Sequence, residues 1–444
     1  MERTKKSIKI YFYKGLEEVL GKKNGEDIEA KESDILKKIQ ESFSKVLDGK
    51  NLSFLLGCGC SSLMKETSSS GTEKVWIDVG VPTMIPMAKE FYTKVLLEED
   101  KKWLKDKLNL DIESVGFKNN LENFLGTLHS LFFFYETTGQ VPKNQDGGID
   151  ETKIEKEPII VFRIIKHARN FLLSKCLNES NRENKSDKDL IELYKSFYRK
   201  LLYRNSNLPK PNIFTTNYDL YSEIALDKLG IHYVNGFSGG IMKYFNPTIF
   251  NYALAERMDL SQSKWSVIDN FIYLYKVHGS INWIQDEEDS KLFRVKEIQE
   301  TSYANLVKQK VILIHPTPLK QNQSMGSPYS DLFREFQKKL MQNNNVLITI
   351  GYSFNDEHIN NLIYQAFTIP SFRLIVLGDH NVCNEIRKLK SLDDPRIWII
   401  GGDLEDKNKL HYFKGFVERI LPDLSNDEID KKIENAVRKL LGEE

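Results

Sequence analysis

Five short polar clusters each follow an apolar run, and their side chains are of the types that approach phosphate, hold sugar hydroxyls or move protons. The first is Leu55-Leu56-Gly57-Cys58-Gly59-Cys60-Ser61-Ser62. Glycine there permits positive φ and lets phosphates approach backbone N–H groups, and a following helix would add its positive end. The same Gly-x-Gly serves equally well as a tight turn, because the third glycine and the ribose-binding acid of the usual dinucleotide fingerprint are not at their expected spacing.

The second cluster, Phe214-Thr215-Thr216-Asn217-Tyr218-Asp219, puts small polar and acidic side chains just past an apolar run. In an open parallel sheet that is where ligands bind, although Thr215 or Asp219 can instead cap a helix over Leu220–Leu229. The third is Tyr275-Lys276-Val277-His278-Gly279-Ser280, where glycine leaves the imidazole unobstructed and histidine is the side-chain type suited to proton transfer near neutrality. The fourth, Thr349-Ile350-Gly351-Tyr352-Ser353-Phe354-Asn355-Asp356, and the fifth, Val376-Leu377-Gly378-Asp379-His380, repeat the order of apolar run, glycine, then hydroxyl or carboxylate. Such groups fit ribose hydroxyls, with a helix cap at Asp356 as the competing role. Turns and caps alone do not account for five such clusters, which together predict one shared crevice.

To converge, the clusters need strands that end side by side. Seven short runs predict buried strands: Leu52–Leu56, Asn212–Phe214, Tyr273–Val277, Val311–Ile314, Val346–Ile350, Arg373–Leu377 and Ile397–Ile400. Helical periodicity lies between them, in Asp331–Gln342 and His358–Phe367, so the expected fold class is α/β: a Rossmann-like parallel sheet with helices on both faces. Residues 85–205 lack strand character and carry helical rhythm at Leu121, Phe124, Leu125 and Leu128 and again at Leu190, Tyr194, Phe197 and Leu201, which predicts an inserted helical subdomain. Gly139–Glu157 and Asn178–Asp189 have the composition of surface loops. Residues 1–50 are expected to form an N-terminal helical segment around Ile35–Leu47. Residues 406–444 are expected to form a C-terminal one, with Ile429, Ile433, Val437, Leu440 and Leu441 on one stripe.

Lys plus Arg and Asp plus Glu both number 63 in 444 residues, so no overall field draws the chain to nucleic acid or an anionic membrane. The amino terminus lacks a secretory pattern and no apolar run approaches a membrane span, which makes the cytoplasm the expected address. Cys58, Cys60, Cys176 and Cys383 form no pair of Cys-x-x-Cys hooks, and no histidines pair as His-x-x-x-His, so neither a zinc ribbon nor another metal site is expected.

In order and composition these clusters resemble the sirtuins. Gly57-x-Gly59-x-Ser61 looks like the sirtuin phosphate loop, Thr216-Asn217-Tyr218-Asp219 like its Gln-Asn-x-Asp segment, His278-Gly279 like its catalytic His-Gly, and Gly351-Tyr352-Ser353 like its Gly-Thr-Ser ribose contact. The resemblance implies an NAD-binding Rossmann domain made of residues 51–84 and 206–405. It casts Asn217, His278 and Asp219 as catalytic and Gly57, Gly59, Ser61, Thr215, Thr216, Gly351, Ser353, Gly378 and Asp379 as NAD-binding, with NAD as substrate.

Sirtuin deacylases carry a four-cysteine zinc module beside the acyl-peptide groove, and this chain lacks the cysteines to build one. Gly80-Val81-Pro82-Thr83 lacks the acid and arginine of the sirtuin Gly-x-Pro-Asp loop. The stretches Ile213–Leu220, Val234–Gly239 and Tyr273–Ser280 are closer to bacterial sirtuin-like NAD hydrolases of anti-phage defence, especially those encoded with a HerA-type DNA-translocating ATPase. That similarity implies NAD cleavage to nicotinamide and ADP-ribose, assembly into a homo-oligomer, and docking on the ATPase, with activity switched on by infection. Three other expectations stay open: an NAD-dependent protein deacylase, a non-catalytic NAD or ADP-ribose sensor, and a scaffold that binds neither.

Overall fold

A strand apolar at every position has no face for water and must be covered on both sides. The computed structural model describes residues 10–20, 31–68, 74–177, 185–205, 207–255, 268, 270–286, 295–299, 301–313, 327–406 and 408–423. Its strands, in chain order, are β1 (Tyr11–Lys14), β2 (Glu17–Glu18), β3 (Asn51–Leu56), the hairpin β4 (Ser62–Ser68) and β5 (Lys74–Gly80), β6 (Asn212–Thr215), β7 (His232–Val234), β8 (Phe237–Ser238), β9 (Lys243–Phe245), β10 (Phe271–Lys276), β11 (Gly279–Gln285), β12 (Val295–Glu297), β13 (Val311–Leu313), β14 (Asn345–Ile350), β15 (Arg373–Leu377) and β16 (Ile397–Gly401).

A nine-stranded sheet has the order β2-β1-β16-β15-β14-β3-β6-β10-β7. From β16 to β7 every pairing is parallel, and β1 and β2 add an antiparallel edge. Alternate residues feed two cores. Phe54, Ile213, Leu274, Ile348 and Ile375 pack into one, and Leu55, Phe214, Tyr275, Leu347 and Val376 into the other. Helices cover both faces. On the first lie α1 (Glu32–Leu47) and the lobe formed by α2 (Met84–Glu90), α3 (Glu98–Leu108), α4 (Leu121–Thr137), α5 (Glu157–Leu177) and α6 (Lys185–Leu202), followed by α7 (Tyr221–Leu229). On the second lie the helices Tyr329–Leu340, Glu357–Ala366 and Asn384–Ser391. The fold is therefore α/β with a mostly parallel, doubly wound sheet.

Chain direction decides where a ligand can enter. Successive strands β3, β6 and β10 step to one side, and β14, β15 and β16 step to the other. The doubly wound order thus reverses between β3 and β14, and ligands bind beyond the strand ends at such a reversal. The register aligns the tips: Leu56 pairs with Ile350 on one side and with Thr215 on the other, and Thr215 pairs with Lys276.

Several elements differ from the sequence-based expectations. Val311–Leu313 is a strand, but it pairs antiparallel with β11 in a second, five-stranded sheet of order β13-β11-β12-β9-β8; Ile314 lies outside the described residues. The seventh parallel strand is β7, too short and too exposed to produce an apolar run. Residues 1–50 are not wholly helical, because β1 joins the sheet edge against β16. The hairpin β4–β5 follows the glycine turn directly. Residues 185–189, expected in a loop, begin α6. The residues of the C-terminal stripe from Ile429 onward lie outside the described residues, as do 178–184. Among the described residues no helix is long and apolar enough to cross a membrane.

Candidate active site

Loops leaving β3, β6, β10 and β14 enclose a cavity of about 200 Å³. Cys58 and Ser61 come from the first loop, Thr216 to Asp219 from the second, His278 from the third, and Gly351, Ser353 and Asp356 from the fourth. The helical lobe closes the other side with Met84 and Met87 of α2, Asn120 to Asn123 and Leu125 at the start of α4, and Leu172 and Cys176 of α5.

The glycines at the β3–β14 reversal work by closeness. A Cβ on Gly57 would lie 2.4 Å from the Gly351 carbonyl oxygen, and one on Gly59 would lie 2.8 Å from Gly351 Cα. Gly351 itself has φ +62°, a conformation costly for any side chain. Backbone N–H of Gly59 donates to Gly351 O at 3.0 Å, so the two loops are sewn together. Gly57 and Gly59 do not line the cavity; they let the lining residues beside them come together. Phe354, buried and at φ +57°, continues this constrained loop, where such a conformation in a bulky residue costs about 1–3 kcal/mol.

Asn217 sits at the centre of a buried network. Its Nδ2 donates to Gly57 O at 3.0 Å and to Ser61 Oγ at 2.8 Å, and Ser61 Oγ donates to Asp219 Oδ2 at 2.6 Å. Both amide protons are thereby committed, which leaves Oδ1, an acceptor, for a hydroxyl or a water. Thr215 positions the backbone here: its Oγ1 donates to Leu56 O and accepts from Asn217 N, each at 3.0 Å. Thr215 itself is outside the cavity, whereas Thr216 lines it.

Asp219 is buried, which pushes its carboxyl above the usual range against the opposing pull of Lys276 and the Ser61 hydroxyl. Its Oδ1 accepts Tyr221 N at 3.2 Å at the start of α7. Lys276 lies beneath, its Nζ donating to the carbonyls of Tyr218 and Asp219 and lying 2.9 Å from Glu223.

His278 follows β10, and Gly279, at φ +91°, turns the chain away into β11. The imidazole is 8% exposed and lines the cavity. Its Nε2 lies 3.0 Å from Asp356 Oδ2, an ion-pair distance, without making an aligned hydrogen bond among the described residues.

Residues 211–372 match the SIR2-like domain. The match supports a sirtuin-like family for this chain, and SIR2-like domains are in general NAD-dependent enzymes, which brings NAD-related activity at the level of the family. A comparison with curated proteins finds no match to the chain. The SIR2-like stretch includes Thr215, Thr216, Asn217, Asp219, His278, Gly351 and Ser353. The β3 glycine turn and the lobe lie outside it, and the sheet pairing of β3 between β6 and β14 attaches that turn to the domain.

Gly378 and Asp379 do not reach this cavity, so four clusters converge rather than five. The tip of β15 is covered from the sheet edge: Tyr11 of β1 donates its hydroxyl to Gly378 O at 2.9 Å. Asp379 Oδ1 accepts Asn381 N at 2.9 Å, which closes a local turn. Lining residues to which the sequence assigned no part in the site include Asn120, Glu122 and Asn123 of the lobe, Cys176 of α5 and Asn355. Only Asn355 stood next to a recognised motif. Nothing in the spacing of the others links them to residues about a hundred positions away.

Proposed function

We propose that the chain is an NAD+ glycohydrolase, cleaving the bond between nicotinamide and ribose. The observation that carries this reading is that Asn217 and His278, from different strand tips of a SIR2-like domain, face one cavity, with Asp356 beside the imidazole.

Nicotinamide is a cationic leaving group. When the C1′–N1 bond breaks, its electron pair goes to the ring nitrogen, and the ribose becomes oxocarbenium-like. Water then bonds to C1′ and gives up a proton, so that NAD+ and water become nicotinamide, ADP-ribose and one proton. Asn217 Oδ1, the acceptor atom of that amide, holds a ribose hydroxyl or the attacking water in line. His278 takes the proton, with Asp356 placed beside its ring, a base role typically worth about a hundred- to ten-thousandfold in rate. Asp219 acts through Ser61 to hold Asn217 in place.

Purified protein incubated with NAD+ alone should release nicotinamide and ADP-ribose in equal amounts, and folded Asn217→Ala and His278→Ala proteins should not. Wild-type rates in both variants would end the reading. Turnover only with an acyl-lysine peptide would favour the deacylase, which has in its support the family but no cysteine module in the sequence. Assembly into a homo-oligomer, docking on a HerA-type ATPase and NAD depletion in anti-phage defence belong to the same proposal and rest on the sequence resemblance. Adding that ATPase to the assay tests them directly.

A further inference from the structure

Three carboxylates, Glu122, Asp219 and Asp356, line the cavity with His278, and among the described residues no Lys or Arg lines it. Lys276 is buried and spent on Tyr218, Asp219 and Glu223. Such a lining suits the positive end of a ligand and disfavours a diphosphate. At about 200 Å³ the cavity is also smaller than the roughly 300–1,000 Å³ of whole small-molecule sites, so it takes one end of a dinucleotide rather than all of it. The buried His278 Nε2, with no aligned hydrogen bond, marks the place where that end is met.

Two of the carboxylates come from within the SIR2-like stretch. Asp219 accepts Ser61 Oγ on one oxygen and Tyr221 N on the other. Asp356 accepts two helix N–H groups on Oδ1 and stands against His278 with Oδ2. Glu122 has a different origin. It lies in the first turn of α4, whose N-cap Asn120 accepts Asn123 N at 3.0 Å, and a carboxylate in a first turn is favoured in its charged form. Its charge is felt across the cavity: after burial, Glu122 is the next cause that pushes up the Cys58 thiol, to about 11, and the Tyr218 hydroxyl. Cys58 is open to the cavity yet densely surrounded by protein, which reconciles its exposure with that upward shift.

We propose that Glu122 is a further catalytic residue: the lobe brings its carboxylate against the cationic nicotinamide–ribose end of NAD+, where it stabilises the oxocarbenium ion as the bond breaks. This rests on the hydrolase reading and extends it, because the catalytic charge then comes from outside the SIR2-like stretch, and turnover depends on how the lobe is seated.

The test uses the full chain, with Glu122→Gln and Glu122→Asp. For NAD+ cleavage, Glu122→Gln should lower kcat by roughly ten- to a thousandfold, and Glu122→Asp should recover part of the loss. In calorimetry, wild type should bind uncleavable carbocyclic NAD+ more tightly than NADH, whose ring is uncharged. Glu122→Gln should lose that preference while its affinity for ADP-ribose stays the same. Alkylation of Cys58 should move to lower pH in the Gln variant, a readout independent of turnover. A Gln variant with wild-type kcat and an unchanged preference for the charged ring overturns the role of Glu122 and leaves the hydrolase standing. Charge preference that depends on Glu122 in a protein forming no nicotinamide keeps Glu122 as the recognition group and removes the hydrolase. Equal loss of all three ligands in both variants assigns Glu122 to holding the lobe and overturns the proposal.

Discussion

The Nε2 of His278 stands 3.0 Å from Oδ2 of Asp356, while Oδ1 of the same carboxylate accepts the N–H groups of His358 at 3.0 Å and Ile359 at 3.3 Å. One side chain thus caps the helix Glu357–Ala366 and places a charge beside the imidazole. The cap removes the rotamer freedom that would otherwise blur the contact, so the helix fixes the carboxylate beside the imidazole.

Substitutions at Asp356 separate the two duties. Asparagine caps a helix as well as aspartate but carries no charge, so Asp356→Asn should keep its melting temperature and lose about ten- to a hundredfold in kcat for NAD+ cleavage. Asp356→Ala should lose that and also about 1 kcal/mol of stability from the missing cap. Melting curves beside initial rates decide it; an Asn variant with wild-type kcat and pH profile would remove Asp356 from the mechanism.

Space, not backbone conformation, makes Gly57 irreplaceable. Its φ is −95°, open to any residue, yet a Cβ would lie 2.4 Å from the Gly351 oxygen. Gly57→Ala should cost about 1–3 kcal/mol by overpacking and should abolish NAD binding as the two loops part. Gly230, at φ +65°, where an added Cβ would meet nothing within 4 Å among the described residues, isolates the conformational cost alone, and Gly230→Ala should lose about 1 kcal/mol with binding intact. Urea melts and calorimetry with NAD+ compare them.

Ser61→Ala leaves Asp219 Oδ2 without its hydroxyl donor and Asn217 Nδ2 without one of its two acceptors. A buried group stripped of its partner costs about 1–3 kcal/mol, so the variant should melt lower. Because Asn217 then turns more freely, kcat/KM should fall further than stability alone explains when both are measured well below the melting temperature.

Acid should unfold the protein partly through His411. Burial pushes its imidazole down to about 4, helped by Lys409 and opposed by Asp379 and Asp403. The native state thus resists a proton that the unfolded chain accepts below about 6.5. Stability from this group is full above that value and declines as pH falls toward 4, by on the order of 3 kcal/mol at most. His411→Gln should flatten that part of the stability–pH curve in urea melts between pH 7 and 4; an unchanged slope would exclude His411 as its source.

The sequence by itself determined the strands of the parallel core, because Leu52–Leu56, Val346–Ile350 and Arg373–Leu377 have no polar face and can be buried only on both sides. It also marked Asn217, His278, Ser61 and Ser353, since short polar groups directly after such strands must lie at the open end of a sheet. Tertiary structure decided what periodicity cannot carry. The edge pairing of β1 lets Tyr11 close the tip of β15 and removes Gly378 and Asp379 from the cavity. The lobe brings Glu122 across from a distant part of the chain. Both depend on packing between segments far apart in sequence, and a local pattern of apolar and polar residues has no term for that contact.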